Sequence, residues 1–114
     1  MKDDSFKDFV LDQLREFGAV ECRAMFGGHG LYRDAVFFGI IWKGRLYFRT
    51  NPEGRQKFIE RGMAPFQPDL KNTRAKKASR GPRILTSYYE VPTEVFEDTR
   101  QIAEWAARAV ASRA

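Results

Sequence analysis

A single cysteine, Cys22, and a single histidine, His29, leave this chain without the material for an internal disulfide, a thiol redox pair or a His/Cys metal cluster. Long apolar runs are missing as well. The longest uninterrupted one, Ala35 to Trp42 around Gly39, falls far short of the roughly 20 residues a membrane-spanning helix needs, and no basic stretch leads into an apolar segment at the N-terminus. A soluble, cytoplasmic protein with no membrane partner is expected. Neither Gly-x-x-x-x-Gly-Lys-Ser/Thr nor Gly-x-Gly-x-x-Gly stands between a strand and a helix, which disfavours a nucleotide-binding phosphate loop. No cofactor and no metal are expected.

What is present is enough apolar material for one core. With 114 residues, 43% of them hydrophobic and ten of them phenylalanine, the chain makes one compact domain, 1–114, and is too short for two. The net charge of +5 becomes informative once it is located. Six basic residues and no acidic ones lie between Lys71 and Arg83, while the rest of the chain carries fourteen basic residues against fifteen acidic ones. The sequence therefore reads as a basic appendage on a neutral body.

The hydrophobic periods divide the chain into helices and strands. Ser5 with Asp8 resembles a capping box, and Phe6, Phe9, Val10, Leu14 and Phe17 recur at helical spacing, predicting a helix over Ser5 to Phe17 that stops at Gly18. From Val20 the period becomes two, with Val20, Cys22, Ala24 and Phe26 on one side, and this strand is interrupted at Gly27-Gly28, which gives either a tight turn or a bulge, before Leu31 to Arg33 continues the sheet. Ala35 to Trp42 is apolar on both faces and so reads as a central strand; Lys43-Gly44 is a hairpin turn into Leu46 to Thr50. Asn51 as N-cap and Pro52 start a short second helix that ends at Gly62. Ala64 to Leu70 reads as an edge strand because of its two prolines, and Ile84 to Val91 as a better one, with the basic segment at the tip between them. Asp98 and Gln101 then cap an amphipathic helix carrying Ile102, Trp105, Ala106, Ala109 and Val110. The expected fold class is α+β, a two-layer, mainly antiparallel five-stranded sheet with three helices in the order α, three strands, α, two strands, α.

Few residues point to chemistry. His29 sits among glycines, where a structural turn is the simpler reading, and Cys22 with Asp34 makes a poor ligand set for it. A Cys22–His29 nucleophile pair fails because an alternating apolar strand buries a thiol rather than activating it. Glu90 beside Tyr88 and Tyr89 is expected to form an ion pair on the sheet surface. No catalytic residue is assigned. Phe37, Phe38, Trp42, Tyr47, Phe48, Tyr88 and Tyr89 either form core or, on an exposed sheet face, stack on bases or a partner; should all helices pack on one face, the other would leave an apolar patch suited to a homodimer. The candidate nucleic-acid-binding residues are Lys71, Arg74, Lys76, Lys77, Arg80 and Arg83, which either serve as a solvated loop or neutralise phosphates without reading sequence. No recognition-helix pattern, RNP motif or zinc finger accompanies them.

Two separated motifs carry a resemblance. The run Arg23-Ala24-Met25-Phe26-Gly27-Gly28-His29-Gly30-Leu31-Tyr32, and far downstream Ser87-Tyr88-Tyr89-Glu90-Val91-Pro92, with Gly44-Arg45-Leu46-Tyr47-Phe48-Arg49-Thr50 and Arg61-Gly62-Met63 between them, resemble the N-terminal domain of TfoX/Sxy-type competence regulators from about Phe9 to about Val110. That resemblance implies a fold similar to the two-layer α+β fold of secretion chaperones. It also implies a non-enzymatic regulatory protein linked to natural transformation, acting on competence genes together with a cyclic-AMP receptor protein at promoter DNA. The full regulators carry a second, helical domain that this chain is expected to lack, so the competence role stands beside an alternative: a homodimeric interaction module that binds a partner on its sheet face without touching nucleic acid.

Overall fold

The period-two and period-3.6 stretches of the sequence meet in one antiparallel sheet covered by helices on one face. A computed structural model describes residues 4–25, 28–66 and 87–112. Its elements are α1 (Asp4–Gln13), a 3₁₀ turn (Leu14–Glu16), β1 (Glu21–Met25), β2 (Gly28–Arg33), β3 (Val36–Trp42), β4 (Arg45–Arg49), α2 (Pro52–Glu60), β5 (Tyr88–Glu90), α3 (Thr93–Phe96) and α4 (Thr99–Ala111). The strands pair in sequence order, β1-β2-β3-β4-β5, every neighbour antiparallel.

The expected fold class is the observed one, with differences in count that have local causes. Of the two readings of Gly27-Gly28, the antiparallel pairing of β1 with β2, Met25 opposite Gly28, agrees with the turn, so four strands rather than three precede α2. After α2, the described part of the two expected strands is β5 and a lone antiparallel bridge between Pro65 and Tyr89. Of the expected strand Ala64 to Leu70, residues 67–70 lie outside the described residues; at the bridge the bonds to β5 are made by Ala64 and Phe66, so the N–H that Pro65 lacks is not called on. The first helix starts at Asp4 and tightens to 3₁₀ geometry from Leu14, ahead of Gly18 at positive φ. Ala35, expected at the start of β3, instead shares the β2–β3 loop with Asp34, both at positive φ (52° and 68°). The β3–β4 loop is Lys43-Gly44 (49° and 73°), as expected.

One irregularity decides which β3 side chains face the helices. Leu31 pairs with Gly39 but Tyr32 with Phe37, so Phe38 is an extra residue on β3. The bulge turns Phe38 onto the same side as Ile41, where simple alternation would oppose them. Phe38 and Ile41 join Leu31, Leu46 and Phe48 of the sheet with Val10, Leu14, Phe58, Val95, Ile102, Trp105, Ala106 and Ala109 of the helical layer. Every described helix contributes to that core, and none of the described helical residues belongs to the second cluster. On the opposite face Ile40, Tyr47, Phe66 and Tyr88 form a second buried cluster flanked by half-buried Phe37 and Trp42. The side of the sheet away from the helices is therefore aromatic, and the large hydrophobic residues that stand exposed among the described residues, Phe9 and Ile59, lie on helices.

The helices are placed by a few specific bonds. Asp98 Oδ1 accepts from the backbone N–H groups of Arg100 (3.0 Å) and Gln101 (3.2 Å), which starts α4. Gln13 Nε2 donates to the carbonyl of Phe96 (3.0 Å), and the rings of Phe6 and Phe9 meet that of Phe96 edge-on, so α1 docks on α3. Ile102, Trp105, Ala106 and Ala109 are buried and Val110 partly so, which is the apolar stripe read from the sequence.

Candidate functional site

The six candidate nucleic-acid-binding residues, Lys71, Arg74, Lys76, Lys77, Arg80 and Arg83, lie outside the described residues. The root of their segment is described, and its geometry is specific. The chain leaves at Phe66, whose N–H donates to the carbonyl of Tyr88 (2.7 Å), while Glu90 N–H donates to Ala64 (3.0 Å). It re-enters at Ser87, whose carbonyl accepts from both the N–H (2.9 Å) and the hydroxyl (2.6 Å) of Thr50. Departure and return thus lie side by side at the β5 edge of the sheet.

Two ion pairs lie near this root. Arg45 Nη1 donates to both carboxylate oxygens of Glu90, at 2.9 and 3.1 Å, which is the sheet-surface ion pair expected for Glu90. Arg61 meets Glu94 at 3.1 Å. On the second face of the sheet, Tyr32 stacks on Phe37 (5.1 Å) and Phe37 tilts against Tyr88 (5.3 Å), with the guanidinium of Arg23 over Tyr32 at 4.7 Å. The seven aromatic residues in question divide between the two clusters: Phe38, Phe48 and Tyr89 go to the helix side, Phe37, Trp42, Tyr47 and Tyr88 to the other.

His29 lies within β2, opposite Ala24 and Ile41, rather than in a turn. Cys22 packs against the helix-side core; burial pushes its thiol up from the ordinary value, with Lys7 lowering and Asp8 raising it by smaller amounts, so the reactive thiolate is disfavoured. Among the described residues no group of three or more His, Cys, Asp or Glu converges.

A concavity that sequence reading did not find lies between the start of α2 and the end of α4. It encloses about 360 Å³, with Phe58 and Trp105 among its apolar lining and Arg49, Lys57 and Arg108 among its polar lining. Asn51 caps α2 at its mouth: its backbone is extended and its side-chain oxygen accepts from Gly54 N–H at 2.7 Å. Arg49 and Arg108 are far apart in the sequence and come together only because β4 runs beside the last turn of α4, so no local pattern announces the cleft.

Comparison with known proteins agrees with the two motifs. The DNA transformation protein TfoX1 of Aliivibrio fischeri is 33% identical to this chain over 84 residues, which is 74% of this chain and 35% of that protein. The chain thus spans about a third of the length of that relative at the matched region. The TfoX N-terminal domain family matches residues 12–112, nearly all of the described fold from the end of α1 through α4. This chain belongs to the TfoX N-terminal domain family.

Proposed function

We propose that this chain is a non-enzymatic regulatory module of the TfoX/Sxy type acting in DNA transformation, and that it contacts DNA, or a DNA-bound regulator such as a cyclic-AMP receptor protein, through Lys71, Arg74, Lys76, Lys77, Arg80 and Arg83. The family supports the transformation role, since the relative from Aliivibrio fischeri is named for it. The observation that carries the contact is the location of charge: the whole positive excess of the chain falls in one segment, and that segment is inserted at one point of the sheet edge, between Phe66 and Ser87. Lysine and arginine side chains concentrated in this way neutralise phosphates and release counterions, which gives affinity without base readout. Each contact contributes about 1 kcal/mol or less at moderate salt, so no single residue is essential.

Binding of a labelled duplex across a salt series, with wild type and K76A/K77A/R80A, tests the contact. Micromolar binding is expected, with a log-log salt slope that falls by about 2 to 3 in the variant. Equal binding by the variant, or none at low salt, would overturn it.

The second face of the sheet favours one other reading, a homodimeric interaction module. Its support is the aromatic row Tyr32, Phe37 and Trp42, half-buried and edged by Arg23 and Lys43. Sedimentation then shows a dimer that K76A/K77A/R80A leaves intact, whereas a monomer at all concentrations rules the reading out.

A further inference from the structure

We propose that the cleft between α2 and α4 binds a small organic anion with a flat apolar body, of the aryl carboxylate or aryl phosphate class. Its size suits such a ligand: about 360 Å³ lies within the range of roughly 300 to 1,000 Å³ typical of small-molecule sites. Its chemistry divides as that ligand divides. Phe58 and Trp105, edge-to-face at 4.9 Å, supply an apolar wall, and Arg49, Lys57 and Arg108 supply positive charge around it.

The described cations fall into a paired group and an unpaired one, and the cleft cations belong, with Lys43, Arg55 and Arg100, to the unpaired one. Arg15, Arg23, Arg33, Arg45 and Arg61 each stand beside a carboxylate, at 2.9 to 3.8 Å. Lys57 and Arg108 are exposed on the cleft and have no ion-pair partner among the described residues. The single acidic side chain of the lining, Glu53, lies in the first turn of α2, where the positive end of the helix offsets it. The negative end of α4, which would otherwise repel an anion, is neutralised by Arg49, whose guanidinium donates to the carbonyls of Ala109 and Val110. An anion entering the cleft therefore meets two unengaged cations, Lys57 and Arg108, and its apolar portion meets two rings that water solvates poorly.

The molecule contains its own reporter. Of its two tryptophans, Trp105 lines the cleft and Trp42 lies on the other face of the sheet, so W42F leaves the cleft tryptophan alone to be read. Phenyl phosphate, benzoate, inorganic phosphate and benzyl alcohol would be titrated into W42F, following Trp105 emission, and into the ¹⁵N-labelled wild type, following the amides of Gly54 and Lys57. A saturable response to phenyl phosphate or benzoate is expected, at least about tenfold weaker for inorganic phosphate and for benzyl alcohol, and at least about tenfold weaker again for the aryl anion in K57E/R108E, whose fold is checked by its ¹⁵N amide spectrum and whose milder counterpart K57Q/R108Q should weaken binding in the same direction. The two aryl anions separate a phosphate-bearing from a carboxylate-bearing ligand by which saturates first. No saturation by either up to about 10 mM, an equal response to benzyl alcohol or inorganic phosphate, or undiminished binding by K57E/R108E would overturn the proposal.

Discussion

Arg49, the last residue of β4, holds the end of α4: its Nη2 donates to the carbonyls of Ala109 (3.2 Å) and Val110 (3.1 Å), and its Nε to the hydroxyl of Ser112 (3.3 Å). The last carbonyls of a helix have no partner within it, and a cation beside them satisfies hydrogen bonds and the helix dipole together. Ser112 adds a bond of its own to Ala109 at 2.8 Å. The sheet and the final helix are thus bonded at the point where the cleft forms, in addition to packing through Ile102 and Trp105.

Replacing Arg49 with methionine keeps much of the side chain's volume and removes these donors. The half-buried carbonyls of Ala109 and Val110 lose a charged partner, so unfolding stability is expected to fall by about 2 kcal/mol in urea titration. Lysine should recover less than half of it, since a single ammonium cannot reproduce the fork. A methionine variant as stable as wild type would show that these bonds contribute nothing net.

Gly28 and Gly44 make opposite predictions for the same substitution. A Cβ on Gly28 would sit well inside contact distance of the Ile41 carbonyl oxygen and at 3.0 Å from Trp42 Cδ1, so G28A must push β2 and β3 apart. A loss of about 2 to 3 kcal/mol is expected. At Gly44 nothing lies within 4 Å, and the cost of alanine is only that of positive φ (73°), about 1 kcal/mol. Thermal melts of the two variants side by side decide it; equal losses would mean that the approach at Gly28 relaxes freely.

Most of this fold was legible because its local signals agree with its packing. Asn51-Pro52, Lys43-Gly44, Gly62 and Asp98 with Gln101 each stand where the elements begin or end. What was not legible depends on partners distant in sequence. The bulge at Phe38 shows only in the pairing of Leu31 with Gly39 and Tyr32 with Phe37; period-two reading assigns Phe38 to the wrong face. The Asp34-Ala35 loop escaped because alanine, unlike glycine, does not advertise positive φ. Of the sites, the basic run is a linear feature and was evident, whereas the cleft assembles Arg49, Lys57 and Arg108 from three elements and leaves no trace in any one of them.

Asn51 links the helix start to the cleft mouth. Its side-chain oxygen satisfies Gly54 N–H at 2.7 Å, one of the donors that the first turn of α2 leaves open. N51A should cost about 1 kcal/mol, and N51D should retain the stability because a carboxylate caps as well and faces the positive end of the helix. Hydrogen exchange at Gly54 reports it directly: faster exchange in N51A with the wild-type rate kept in N51D is expected, and unchanged exchange in N51A would show that the cap is not formed in solution.

Tyr88 gives the fold an alkaline limit. It is 1% exposed, between Phe37 on one side and the cluster of Ile40, Tyr47 and Phe66 on the other. Burial pushes its hydroxyl up from 10 to about 12, against the lowering effect of the Arg49 guanidinium. The folded value lies above the unfolded one, so the neutral phenol stabilises the native state fully below about pH 10, and that contribution is lost as pH rises through the interval to about 12. Within it the native state holds a proton that the unfolded chain has released, and stability falls by up to about 1.4 kcal/mol per pH unit for this group. Tyr47 is shifted the same way, by burial first and Glu90 second, so Y88F removes one part of the dependence and Y47F/Y88F a larger part. Lysines titrate in the same range, which makes the difference between wild type and variant the useful quantity. Urea midpoints measured from pH 9 to 11.5 should fall more steeply for wild type than for Y88F, and parallel curves would place the Tyr88 hydroxyl in contact with solvent in the native state.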